Sequence, residues 1–246
     1  MRSFKPKRHF PENGFWGASS VGTTLRMKVL IFDTETTGLP RQFNLPPESQ
    51  AHNWPHIVDI AWTVLDSETN KIIERKSYII RPNNWVIPEE STAIHGIRQA
   101  FAESYGAPLE DVIKEFFETD CDMYVAHNSK FDENVVMNAV YWDMGGASYR
   151  FNKPIRCTMA MSRSMCRLPF PNGGFGYKSP KLSELYEHVF REKPNQSRLH
   201  GAAYDTQILT KIITTYEPIR GELGLSARNI QKYNANQSMP GTILRI

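Results

Sequence analysis

Val29 to Phe32 is a short apolar, β-prone run inside the stretch Met27 to Pro40, MKVLIFDTETTGLP, and Gly38 and Pro40 close it. It reads as a central strand buried on both faces. Ile57 to Leu65 and Lys71 to Ile80 are also β-rich, and the polar DSETN between them predicts an antiparallel hairpin. The sheet therefore opens with three antiparallel strands. Beyond it, Pro88 followed by Glu89 and Glu90 marks the start of a short helix that closes around Gly96. Leu109 to Glu118 carries apolar residues at helical spacing, and Phe131 to Trp142 does the same. Met123 to Ala126 and Pro154 to Met159 read as short strands, and Lys181 to Phe190 and Gly201 to Tyr216 as two further helices. Arg41 to Pro55 is a loop rich in Pro and Asn. Arg163 to Lys181 is a second loop, in which Arg167, Phe170, Phe175, Tyr177 and Lys178 interleave charge with aromatic surface. Strands that later alternate with helices predict an α/β fold.

Four acids break the apolar pattern where it should be buried. Asp33 and Glu35 stand two residues apart at the end of the first strand, so their side chains share a face. Close carboxylates beside apolar residues are expensive to bury without a raised pKa, a basic partner or a cation. Asp132 is followed at +3, +4, +7 and +8 by Val135, Val136, Ala139 and Val140, which places it on the inward stripe of its helix. Asp205 repeats the arrangement with Ile208, Leu209, Ile212 and Ile213. Each acid alone has an ordinary reading: a D-x-E pair suits a strand running out into solvent, and Asp132 suits a capping box behind Ser129. Together they predict a cluster of negative charge that divalent cations offset, and a two-metal site is the economical arrangement.

His200 lies five residues before Asp205, on a loop ending in Gly201. A histidine there is placed to take a proton from water. His9, His52, His56 and His188 read as surface loop histidines. His127 closes a strand and reads as a packing or hydrogen-bonding residue.

At 246 residues and a net charge of +3, the chain holds one sizeable domain of ordinary composition. No apolar run approaches the ~18 residues of a membrane span, so no membrane partner is expected. Cys121, Cys157 and Cys166 lack C-x-x-C spacing and form no disulfide framework. A reducing, intracellular and cytoplasmic setting fits. Arg2, Lys5, Lys7, Arg8, Arg26 and Lys28 against Glu12 alone make the start of the chain basic, while the remainder is slightly acidic. Residues 1–26 accordingly read as an irregular basic arm, a leader, phosphate-touching or weak organelle-targeting segment. Residues 27–220 read as the domain, and 221–246 as a C-terminal tail.

The order Asp33-x-Glu35, His127-Asn128-x-x-x-Asp132 and His200-x-x-x-x-Asp205, with flanks FDTETTG, AHNSKFD and HGAAYD, resembles the three motifs of DEDDh 3′–5′ exonucleases. That ribonuclease H-like group includes bacterial proofreading subunits. The related tyrosine class has Tyr four residues before its last acid; here that place is Gly201. The match runs from about Lys28 to Tyr216.

The resemblance implies a ribonuclease H-like mixed sheet, three antiparallel strands first and then parallel strands, with helices on both faces. It implies that Asp33, Glu35, Asp132 and Asp205 hold two Mg2+ or Mn2+ ions, with Asp33 bridging, and that His200 is the general base. Glu90 and His95 would contact the terminal nucleotide, and Thr34 and Thr36 would line the same pocket. The implied partner is a nucleic acid with a free 3′ end, DNA before RNA, cleaved to nucleoside 5′-monophosphates. A DNA polymerase or repair partner is implied for a proofreading role, on a monomer or homodimer. An RNA-trimming enzyme and a non-catalytic nucleic-acid-binding scaffold are the alternatives; a scaffold has no use for four inward acids and a loop histidine.

Overall fold

The computed structural model describes residues 26–226. The apolar runs form a five-stranded mixed sheet. Strand β1 (Lys28–Thr36) pairs antiparallel with β2 (Ile57–Asp66), which pairs antiparallel with β3 (Ile72–Ile79). On its other side β1 pairs parallel with β4 (Met123–Ala126), and β4 with β5 (Ile155–Cys157), giving the order β3-β2-β1-β4-β5. The central strand is β1, as its continuous apolar run requires. Because β1, β4 and β5 run in the same direction, their carboxyl ends gather at one edge, where polar residues emerge from the sheet.

Helices cover both faces. One face carries α3 (Leu109–Glu118) and α4 (Ser129–Asn138), which pack Val112, Ile113, Phe116, Val135 and Val136 against Leu30, Phe32 and Trp62. Phe116 sits at the centre, with its ring 5.3 Å from Phe32, 5.5 Å from Trp62 and 5.8 Å from Tyr124. The other face carries α7 (Ala202–Thr215), whose Ile208, Leu209, Ile212 and Ile213 meet Val29, Ile31 and Leu65. Both inward stripes are the ones the spacing predicts. Among the described residues, no helix is long and apolar enough to cross a membrane.

Several local expectations change. Helices appear that the pattern did not predict, among them α2 (Gln99–Tyr105) and α5 (Thr158–Cys166). The strand expected to reach Met159 ends at Cys157, and the loop expected from Arg163 starts only after Cys166. Ser129 is not an N-cap: the preceding residue Asn128 takes a left-handed conformation (φ 73°), and Ser129 is already helical. A π-helical turn, Ala139–Asp143, then extends α4. His56 is not a free loop residue, since its Nδ1 lies 3.0 Å from Asp143 and its ring stacks on Trp85. His188 lies within α6 (Leu182–Phe190), with Nε2 3.2 Å from the Tyr216 hydroxyl.

The domain boundary expected at residue 220 falls inside the packed fold. Helix α8 (Glu217–Glu222) and the residues after it bury Ile219, Leu223 and Leu225 against the α7 face. The basic arm up to residue 25, His9 included, and the tail beyond 226 lie outside the described residues.

Candidate active site

The carboxyl end of β1 leaves the core as Asp33-Thr34-Glu35-Thr36, and alternation sorts these four side chains. Asp33 and Glu35 project on the α7 side, continuing the row of Val29 and Ile31. Thr34 projects the opposite way and meets α4. The backbone N–H of Thr34 donates to Asp132 Oδ1 at 3.1 Å, and its hydroxyl donates to the same oxygen at 2.8 Å. Asp132 is 3% exposed and therefore held at the sheet edge by two hydrogen bonds from β1. A capping role is not what it performs. Thr36 turns its hydroxyl to the Gly38 carbonyl at 2.6 Å, fixing the turn that leaves the strand.

Asp205 enters from the first turn of α7. Its Oδ2 accepts the backbone N–H of His200 at 3.2 Å, while its Oδ1 is buried without a partner. His200 itself is exposed, on the loop before Gly201, and adopts φ 62°. One ligand atom each from Glu35, His200 and Asp205 lies within 4.8 Å of the others.

The electrostatics follow from this crowding. Burial first, and then Asp132, Asp205, Glu35 and Asp59 in turn, push the Asp33 carboxyl well above the ordinary carboxylate range. Burial and the same neighbouring acids raise Glu35 to about 8. Burial raises Asp132 to about 7 and Asp205 to about 6, although the Thr34 bonds on one and the His200 amide on the other pull back. Among the described residues, no Lys or Arg pairs with any of these acids. Bound protons or bound cations are what remain to offset the charge.

One acid here was not predicted. Asp59 lies in β2 directly opposite Glu35 and is 6% exposed. The run IVDIAWTVL held the signal, a single carboxylate in a strand otherwise built for the interior. Only the register places that carboxylate beside Glu35.

Of the other residues, Glu90 is exposed near the start of α1 (Glu89–His95). His95, at its end, accepts the Ile97 N–H on Nδ1 at 3.1 Å. Burial lowers its pKa, and the Thr36 carbonyl partly offsets this, so the ring lies beside the end of β1. His127 behaves as the hydrogen-bonding residue expected: Nδ1 lies 3.0 Å from the Thr158 hydroxyl and Nε2 3.0 Å from the Pro180 carbonyl. Burial drives its pKa down to about 4, so it is neutral at neutral pH, with both ring nitrogens engaged by these partners.

The donor set suits hard divalent cations. Carboxylate oxygens of Glu35 and Asp205 converge with His200, one buried oxygen of Asp205 lacks any partner, and the raised carboxyls mark acids whose ionised form a bound cation would stabilise.

The comparisons with known proteins agree. The model of the exonuclease family named for RNase T matches residues 30–213. The chain belongs to that exonuclease family. It is a 3′–5′ exonuclease, a hydrolase on the ribonuclease H-like fold, and the family's chemistry depends on divalent metal. Exonuclease X, solved in complex with 5′ overhanging duplex DNA, is 26% identical, with 83% of this chain and 98% of that chain covered and a TM-score of 0.52. Exonuclease I of E. coli, in a zinc-bound complex with single-stranded DNA, shares the fold at 20% identity and a TM-score of 0.56, covering 80% of this chain and 42% of that one. Exonuclease I of Methylocaldum szegediense matches at 17% identity and a TM-score of 0.59, over 85% of this chain and 43% of that one. This chain thus spans less than half of the exonuclease I chains it matches. No curated protein sequence matches it.

Proposed function

We propose that this exonuclease removes nucleotides one at a time from the 3′ end of single-stranded or frayed DNA, releasing nucleoside 5′-monophosphates. The observation that carries this reading is the meeting of Glu35, His200 and Asp205 within 4.8 Å beside an unpartnered carboxylate oxygen. Asp33, Glu35, Asp132 and Asp205 are the residues that would hold two divalent cations, Mg2+ or Mn2+; burial and the other three acids all act on the Asp33 carboxyl. Such cations, when bound, neutralise the charge that builds on the phosphoryl group and on the departing 3′ oxygen.

The remaining steps belong to the chain's own side chains. His200 accepts a proton from the attacking water as the new O–P bond forms and the bond from phosphorus to the 3′ oxygen breaks. Its exposure lets the imidazole pass that proton to solvent, and the bond from its backbone N–H to Asp205 fixes the loop that carries it. Thr34 serves the reaction by holding Asp132 rather than by touching the nucleotide. Thr36, Glu90 and His95 form the wall proposed for the terminal nucleotide. DNA is favoured over RNA because exonuclease X, which this chain covers almost end to end, was solved with DNA.

The test uses 5′-labelled single-stranded DNA, duplex DNA and RNA of one sequence with Mg2+. The reading predicts a ladder shortening from the 3′ end, fastest on single-stranded DNA and lost with EDTA. A chain that binds these strands without shortening them under any divalent metal would be a scaffold. Faster shortening of RNA would reassign the substrate.

A further inference from the structure

Asp59 Oδ2 accepts the backbone N–H of Ala202 at 3.1 Å, joining β2 to the first residue of α7 across 143 positions of sequence. A helix start leaves its first N–H groups without intrahelical partners, and an N-cap side chain normally answers one of them. Here the N-cap is Gly201, which has no side chain to offer. Asp59 supplies an acceptor for the first helical N–H from a neighbouring strand.

The location matters more than the bond. Ala202 follows His200 by two residues and precedes Asp205 by three. His200 holds a left-handed backbone conformation, φ 62°, which is disfavoured for a residue with a Cβ and persists only where its surroundings enforce it. Two carboxylates bond the backbone on either side of Gly201: Asp205 takes the N–H of His200, and Asp59 takes the N–H of Ala202. Gly201 is clamped between them. We propose that Asp59 is a positioning residue, which locks the Gly201–Ala202 junction and thereby holds the His200 imidazole against Glu35 and Asp205. The inference rests on His200 being the proton acceptor. Asp59 touches neither water nor nucleotide in this role.

Steady-state kinetics on single-stranded DNA with Mg2+ test it, using Asp59→Ala, Asp59→Asn, His200→Ala and the double variant Asp59→Ala/His200→Ala. Asp59→Ala is expected to lower kcat by about tenfold or more with KM within about twofold, a loss of positioning rather than of binding. Asp59→Asn keeps a carbonyl acceptor for the Ala202 N–H and is expected to recover most of that loss. In the His200→Ala background, Asp59→Ala is expected to add less than about twofold, because a residue acting through His200 has nothing left to position. Normal kcat in Asp59→Ala, no recovery in Asp59→Asn, or a full additional loss in the double variant would each overturn the proposal. Normal turnover in His200→Ala would remove the assignment of His200, on which the proposal stands, and is read separately. Should Asp59→Ala not fold, Ala202→Pro deletes the same bond from the donor side, since proline suits a first helical position. The expected loss of kcat is then the same, and normal turnover again overturns the proposal.

Discussion

Thr34 and Asp132, 98 positions apart, are joined by two hydrogen bonds to a single carboxylate oxygen, one from the backbone N–H and one from the hydroxyl. The strand that carries Asp33 and Glu35 therefore also places the third acid. Thr34→Val keeps the shape and the backbone bond but removes the hydroxyl donor. It is expected to cost about 1–2 kcal/mol of stability, and to raise the Mg2+ concentration needed for half-maximal rate. A metal titration of the rate checks this; an unchanged midpoint would mean that the hydroxyl does not hold Asp132 in its working position.

His200→Ala is expected to leave the fold and metal affinity intact while lowering turnover about 100-fold or more, in line with general-base contributions. Melting curves with and without Mg2+, run beside the rate measurement, separate this from loss of the site. Near-normal turnover would take the base role from His200.

The acids give the metal-free protein a pH dependence of definite sign. Glu35 is raised to about 8 and Asp33 well above its usual value, so between pH 6.5 and 8.5 the folded state binds more protons than the unfolded chain. Stability with EDTA should fall as pH rises through that window, and Mg2+ should restore more at pH 8.5 than at pH 6.5. His127 acts in the opposite sense, with its folded pKa down near 4, and costs stability only as pH falls below about 6.5. Thermal melts at several pH values check the sign. A metal-free midpoint that rises across the window would contradict the burial of unpaired acids.

What the sequence made legible was local periodicity. Asp33 and Glu35 share a strand face, and Asp132 and Asp205 each head an apolar stripe, so four acids could be placed inward from spacing alone. Asp59 was hidden because its meaning is a register, Glu35 opposite Asp59, that no single strand encodes. Helix α5, TMAMSRSMC, mixes small, polar and apolar residues with little facial separation, and its burial comes from the cluster it packs against. The boundary near residue 220 was misplaced for a related reason. Leu223 and Leu225 are isolated apolar residues in a Gly-containing segment, and only tertiary contact with the cluster under α7 makes them core.

That last correction carries its own test. Leu223 is 3% exposed, and Leu223→Ala is expected to cost about 2–5 kcal/mol while leaving the rate per folded molecule unchanged. Denaturant unfolding measures the first and active-site-normalised rates the second. A loss below about 0.5 kcal/mol would return these residues to a tail.

The central claim is that four distant acids meet around two divalent ions, and it is tested most directly by counting Mn2+ bound per chain in the presence of a nucleoside 5′-monophosphate. Two ions are predicted for the natural protein, and fewer for Asp205→Ala at the same free Mn2+. No specific binding, or the same count in both proteins, would contradict it.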